Sequence, residues 1–324
     1  PCPAGIKSLS VLDDAQHPID LVVVSPGIPS NHSILQQAKH QHIPVTGDID
    51  IFCQYTTQPI VAITGSNGKS TVTTWVTTVL TRLGYRALAC GNIGLPVLEA
   101  IQQPVDFWVV ELSSFQLEHC HNLQAKVAAV LNITDDHLDH YQGSFLHYRQ
   151  MKEKLFGLCQ TGFYNHRQPP LQQPPVPCYS FGLDKTADWQ ATHQTEQWLL
   201  QHNQSQWPLK TQGADQLGQH QIENALVTLG LVHALGIDLK SALTALWPEP
   251  QLPHRQQWLG THQTTTWIDD SKATNPAATL AALKKWGTQN NLVLLMGGQT
   301  KGAHFDLLRS TITATCQQLI LFGQ

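Results

Sequence analysis

Short apolar runs recur along the chain, most of them bounded by turn residues, with helical stretches between several of them. Leu21–Ser25, Ile60–Thr64, Phe107–Leu112, Val127–Asn132, Leu292–Met296 and Leu319–Phe322 read as buried β-strands, because they are short and nearly continuous in apolar residues. Ser70–Leu83 and Pro276–Trp286 carry the spacing of amphipathic helices. This alternation predicts an α/β fold on parallel sheets, since parallel strands need crossovers and the helices cover both sheet faces. The stretch from Tyr164 to Lys210 breaks the rhythm: it is rich in Pro, Gln and Trp, and reads as loops with an irregular antiparallel patch. Proline-bearing turns at Thr56–Pro59 and Trp247–Pro253 mark boundaries between three units, 1–58, 59–251 and 252–324.

At 324 residues the chain exceeds one small module, and 41% hydrophobic residues supply sizeable cores. Charged residues are only 13%, with Gln and His filling much of the polar surface. The formal charge of −4 argues against a nucleic-acid or anionic-membrane binder. No run reaches the roughly 18 apolar residues of a membrane span, and no leader signature opens the sequence. Seven cysteines without a CxxC pair suit reduced thiols. We expect a cytoplasmic monomer that binds neither membrane nor nucleic acid. The missing initiator Met and the apolar end LILFGQ, of a kind that feeds a further helix, lead us to expect a piece of a longer protein.

The segment with the most chemistry is PIVAITGSNGKST, Pro59–Thr71. An apolar strand runs into Gly65, Ser66, Asn67, Gly68, Lys69, Ser70 and Thr71, and a helical pattern follows. Glycines let backbone N–H groups converge on phosphate oxygens, and the helix N-terminus adds a positive dipole end. Lys69 would place a cation on the β/γ phosphates of ATP, and the Ser70 hydroxyl would reach Mg²⁺. Position 63 is Ile where the GxxxxGK[ST] pattern has Gly, so a strict motif search would pass over this loop.

GSNGKST resembles the phosphate loop of the Mur ligases and the related folylpolyglutamate synthetases. Further segments carry the resemblance: GNIGLP (Gly91–Pro96), ELSSFQLE (Glu111–Glu118), LNITDDHLDHY (Leu131–Tyr141) and IDDSKATN (Ile268–Asn275). SPGI (Ser25–Ile28), YRQMK (Tyr148–Lys152) and LPHR (Leu252–Arg255) follow the same order. Together they point to the D-glutamate-adding branch of the Mur ligases, which join D-glutamate to UDP-N-acetylmuramoyl-L-alanine through an acyl phosphate. The resemblance implies three domains: a central P-loop, ATPase-like parallel sheet between partial Rossmann-like N- and C-terminal domains. Its weakest stretch is Tyr164–Lys210.

What the family implies can be placed residue by residue. Glu111 ends the strand DFWVVE and would hold Mg²⁺ together with Ser70. His137 would bind a second Mg²⁺, although a DDH cluster alone would equally cap a helix N-terminus. Lys152, read alone, is a solvated helix lysine; in the family its counterpart reacts with CO₂ to a carbamate that ligates the second metal. Lys154 stands close by, and only the YRxxK alignment separates the two. Carbamylation needs a neutral amine, so the site should lower the Lys152 pKa. Lys69, Glu111, His137 and Lys152 are thus the expected catalytic set. Gly27, Asn92 and Ser113 match positions that touch the UDP-sugar, and Gly91 and Gly94 read as turn formers. Asn224 would meet the adenine–ribose end of ATP, with Gln221 standing where the family has Asn. Arg255 suits a γ-phosphate contact and Asp270 the ATP ribose. Lys272 and Thr274 line the same turn, with Lys301 expected at the D-glutamate carboxylate. Two other readings stand beside this one: a different amide-forming ligase of the superfamily, and a nucleotide-binding but catalytically incomplete fragment. ELSSFQLE and IDDSKATN argue against the first.

Overall fold

A computed structural model describes residues 19–194, 197–209, 218–248, 250–287, 290–300 and 304–323. The first elements are β1 (Val22–Val23), α1 (Ser33–His40), β2 (Val45–Thr46) and α2 (Asp48–Gln54), with β1 and β2 paired in parallel. The central unit then alternates β3 (Ile60–Thr64), α3 (Lys69–Arg82), β4 (Ala87–Gly91), α4 (Val97–Ala100), β5 (Phe107–Glu111), α5 (Ser114–Glu118), β6 (Val127–Val130) and α6 (Phe145–Glu153). Five more strands follow, β7 (Gly162–Asn165), β8 (Cys178–Gly182), β9 (Trp189–Gln194), β10 (Gln197–His202) and β11 (Ser205–Pro208). Helices α7 (Gln219–Ala234) and α8 (Leu239–Leu246) close the unit. All nine strands form one sheet in the order β11-β10-β9-β8-β7-β6-β3-β5-β4, parallel from β4 to β9 and antiparallel over β9–β11.

The near-continuous apolar composition of β3, β5 and β6 follows from burial on both faces. Val61, Ile63, Val109, Val127 and Ala129 point into a core shared with α3, α7 and α8. Ile60, Ala62, Trp108, Val110, Ala128 and Val130 point the other way, into a core shared with α2, α5 and α6. Gly230 in α7 is required by close packing: a Cβ there would stand 2.6 Å from Phe163 Cε1.

The stretch from Tyr164 onward departs from the expected loops. Its described part holds β8–β11 and contributes to β7, so the central sheet extends well beyond β6. The antiparallel patch is real, but as a regular meander in which Gln197–His202 pairs with Trp189–Gln194 on one side and Ser205–Pro208 on the other. Lys210 lies outside the described residues.

The last elements are β12 (Gln257–His262), β13 (Thr265–Asp269), α9 (Pro276–Trp286), β14 (Leu292–Gly297), α10 (Asp306–Thr315) and β15 (Cys316–Phe322). β12 and β13 form an antiparallel hairpin, and β14 pairs with β15 in parallel. The runs expected as buried strands at both ends are strands here, but exposed ones. Val23 is 57% exposed, Leu295 54% and Leu321 68%. Each belongs to a two-stranded sheet, too narrow to be covered as the central sheet is. Among the described residues no helix is long and apolar enough to cross a membrane, and the six described cysteines are free thiols.

Candidate active site

The carboxyl ends of four adjacent parallel strands, β4, β5, β3 and β6, carry the site, the edge where open α/β sheets bind ligands. Register aligns them: Glu111 at the end of β5 lies opposite Ile63 of β3 on one side and Gly91 of β4 on the other. The chain leaves β3 through Gly65–Gly68 and enters α3 at Lys69. Gly68 is left-handed, with φ of 86°, and a Cβ there would come 2.8 Å from Asn224 Oδ1. A side chain at this position would therefore be strained by its backbone and blocked by α7 as well.

The loop is latched from two directions. The Asn67 amide donates to Asn132 Oδ1 at 3.0 Å, and Asn132 Nδ2 donates back to the Asn67 carbonyl at 2.9 Å. Ser66 Oγ shares hydrogen bonds with the Thr134 backbone, 3.0 Å to its carbonyl and 3.0 Å from its amide, and lies 2.9 Å from the Tyr148 hydroxyl. Burial pushes that hydroxyl's pKa up. Asn275 Nδ2 reaches across from the start of α9 to Asn67 Oδ1 at 2.8 Å.

Two lysines converge on one carbonyl. Lys69 Nζ donates to the oxygens of Gly65 (2.9 Å) and Ser66 (3.0 Å), and Lys152 Nζ donates to the same Gly65 oxygen at 3.0 Å. Lys152 is 2% exposed and its ammonium lies 4.7 Å from the Tyr148 ring centroid. Burial holds its pKa well below the ordinary lysine value, and the charge of Lys69 lowers it further. Burial likewise lowers Lys69, while Glu111 and Asp136 oppose that shift at both lysines. Lys152, which reads alone as a solvated helix lysine, is thus buried against the phosphate loop. Lys154 instead turns to the carbonyls of Leu117 and Glu118, at 2.8 and 3.2 Å.

Glu111 is buried, and only one of its oxygens is satisfied: Oε1 accepts from Asn92 Nδ2 at 2.7 Å, whereas Oε2 is buried without a hydrogen-bond partner among the described residues. A buried carboxylate oxygen left open costs stability unless something cationic meets it. This donor set fits a magnesium ion held with the Ser70 hydroxyl and phosphate oxygens. Among the described residues no group of three or more His, Cys, Asp or Glu side chains is arranged to hold a metal alone. Ser70 Oγ accepts from Arg255 Nη2 at 2.9 Å, which brings the segment before β12 onto the phosphate loop.

The other expected positions sort as follows. His137 is half-buried, left-handed with φ of 52°, its ring edge-on to Phe115 at 5.0 Å and its Nε2 3.6 Å from Asp136 Oδ1. Thr71 lies in the first turn of α3. Asn224 is buried beside Gly68, and Gln221 accepts from the Gly218 amide at 3.0 Å, so its departure from the family pattern still caps α7. Asp270 Oδ1 accepts from the Gln256 amide at 3.0 Å, with its pKa raised by burial. Ser113 caps α5, its Oγ accepting from the Gln116 amide at 3.1 Å. Gly27 is exposed with φ of 95°, and Lys272 and Thr274 are exposed on the turn between β13 and α9. Lys301 lies outside the described residues. Sequence reasoning assigned no role to Tyr148 or Asn275, although Tyr148 stands four residues before Lys152 on the same helix face and Asn275 closes IDDSKATN.

A phosphate loop, an open buried carboxylate and a lysine pair at the edge of a parallel sheet fit an enzyme that uses a nucleotide triphosphate. The model of the Mur ligase middle domain matches residues 63–232, more than half of the chain. A UDP-N-acetylmuramoylalanine–D-glutamate ligase of Photorhabdus laumondii is 40% identical over 327 residues, covering 100% of this chain and 73% of that protein. The enzyme of the same name from Pseudomonas aeruginosa is 40% identical over 313 residues, covering 93% of this chain and 68% of that one. Among solved structures, MurF from Acinetobacter baumannii superposes with a TM-score of 0.70 at 20% identity, over 84% of this chain and 65% of its own, a likeness of fold alone. The chain belongs to the D-glutamate-adding ligases of the Mur family, ADP-forming carbon–nitrogen ligases of peptidoglycan synthesis.

Proposed function

We propose that this chain carries out the reaction named for its relatives, with these residues in these roles. A carboxylate oxygen of UDP-N-acetylmuramoyl-L-alanine attacks the γ-phosphorus of ATP, and ADP departs to leave an acyl phosphate. The amine of D-glutamate then attacks the acyl carbon, phosphate leaves, and the nitrogen sheds a proton. Both steps gather negative charge on phosphoryl and carbonyl oxygens, so fixed cations and N–H donors carry most of the catalysis.

The backbone of Gly65–Thr71 would cradle the phosphates, with Lys69 leaving its loop carbonyls for the β/γ oxygens. Ser70 and Glu111 would hold one Mg²⁺, and His137 with Lys152 a second. The chemistry a magnesium ion supplies there is neutralisation of phosphoryl charge. Lys152 would serve as its carbamate: the neutral Nζ attacks the carbon of CO₂, the nitrogen loses a proton, and an N-linked carboxylate replaces an ammonium. The burial that lowers its pKa favours the amine this step requires. Asn224 and Asp270 would meet the nucleoside of ATP and Arg255 its γ-phosphate. Gly27, Asn92 and Ser113 would face the UDP-sugar, and Lys272, Thr274 and Lys301 the D-glutamate. The units 1–58, 59–251 and 252–324 would divide these tasks, and the work would be done in the cytoplasm.

The observation that carries this reading is the pair Lys69 and Lys152 on the Gly65 carbonyl beside buried Glu111 with its open Oε2. Its direct test is the label from ¹³C-bicarbonate. We expect a carbamate carbon signal in ¹³C NMR that disappears in Lys152→Ala. A wild-type spectrum without that signal would remove the carbamate from the account.

A further inference from the structure

Glu111 is held at its backbone on both sides and at one carboxylate oxygen. Its backbone sits between β3 and β4, opposite Ile63 and Gly91. The residue after it is held twice, by the Leu112 amide donating to the Ile63 carbonyl at 2.8 Å and by Thr64 Oγ1 donating to the Leu112 carbonyl at 2.8 Å. The Asn92 amide donates to the Glu111 carbonyl at 2.9 Å. Gly91 makes that approach possible, because a Cβ there would lie 2.4 Å from the Glu111 carbonyl oxygen and its φ of 97° is left-handed.

Beyond the backbone, the carboxylate can turn about its last bond, a soft torsion with a broad well. Asn92 Nδ2, 2.7 Å from Oε1, removes that freedom. We infer that Asn92 is the positioning residue that selects which Glu111 oxygen faces the metal: it ties down Oε1 and leaves Oε2 fixed and open. This rests on the reading of Glu111 as a magnesium ligand and goes beyond the substrate contact proposed for Asn92. Outer partners of this kind orient a ligand and raise metal affinity, and losing one costs about 10–100-fold in affinity. Asn92 is itself exposed at the end of β4, so one side chain would adjoin both the metal ligand and the substrate cleft.

The test is Mn²⁺ binding, followed by electron paramagnetic resonance with a non-hydrolysable ATP analogue and without the UDP-sugar. Asn92→Ala and the near-isosteric Asn92→Leu should both weaken Mn²⁺ binding about 10–100-fold, with metal-free thermal midpoints close to wild type. Mn²⁺ affinity unchanged in both variants, with only the KM for the UDP-sugar raised, would overturn the inference and leave Asn92 as a substrate contact. Glu111→Gln separates the underlying reading. If that variant keeps wild-type Mn²⁺ affinity, the metal role of Glu111 fails, and the Asn92 assignment fails with it.

Discussion

Lys152 sits buried with its ammonium on a carbonyl and an aromatic ring, and the energetic consequence is specific. Its folded pKa is well below the ordinary lysine value because burial penalises the charged form. Below the folded pKa both states hold the proton, and the folded state bears the full cost of the buried charge. As pH rises from the folded value toward the ordinary one, the folded state is already neutral while the unfolded chain still binds the proton. Stability therefore climbs across that window. In CO₂-free buffer the thermal midpoint of the wild type should rise with alkaline pH more steeply than that of Lys152→Met. Equal slopes would show that burial does not lower the pKa of Lys152 in the folded state. Lys69 contributes a second, smaller prediction: Lys69→Ala should lower turnover at least 10²–10³-fold, the loss typical of removing a donor aimed at developing charge, as read by phosphate release. At this scale the strand–glycine–helix order makes the phosphate loop legible by spacing alone, whereas Glu111 and Lys152 were singled out through the family resemblance, Lys152 alone reading as a solvated helix lysine. Asn67 with Asn275 was not, since nothing local links residues 208 apart.

Docking of α2 onto the central sheet turns on Asp50. Its carboxylate is 1% exposed and accepts from the His121 amide at 2.8 and 3.0 Å and from the Asn122 amide at 2.8 Å. Asp50→Asn keeps the shape but replaces an acceptor pair by one acceptor and one donor facing N–H groups. It should cost about 1.5–3 kcal/mol, the scale of hydrogen bonds to charged groups. A denaturant midpoint lowered at unchanged m would register that cost, and an unchanged midpoint would contradict it. Gly230→Ala tests α7 in the same way: pressing a Cβ on Phe163 should destabilise by about 1–3 kcal/mol. The elements that sequence made legible are those whose period is plain, with β3 and α9 matching their expected spans. β7–β11 were hidden for a physical reason. They extend the sheet with mixed burial, half-buried Gln190 and Thr192 alternating with buried Trp189 and Ala191 along β9, and a Pro-rich segment at 169–177 precedes β8. Strand pairing onto β6 supplies a stabilisation that no local window contains.

Across the whole molecule, two side-chain bridges bring residues after α8 to the phosphate loop, Arg255 to Ser70 and Asn275 to Asn67. The first has a functional consequence. Ser70 Oγ is the oxygen proposed for Mg²⁺, so on that reading metal loading would move Arg255 from this hydroxyl to a phosphate oxygen and couple nucleotide binding to the segment that carries Arg255. Asn275 also caps α9 through the Ala278 amide at 3.0 Å. Asn275→Ser keeps a capping oxygen but is too short to reach Asn67. It should raise the KM for ATP two- to tenfold, about 0.5–1.5 kcal/mol for one hydrogen bond, and speed amide exchange at Asn67 and Gly68. An unaltered KM would separate the bridge from nucleotide binding.

The central claim is an amide-forming ligase that makes an acyl phosphate and delivers it to D-glutamate. Coupled phosphate release with ATP, Mg²⁺ and UDP-N-acetylmuramoyl-L-alanine, with D-glutamate present or omitted, tests it most directly. The account predicts sustained release that requires D-glutamate and vanishes in Lys69→Ala. Release indifferent to D-glutamate, or unaffected by that substitution, would contradict it.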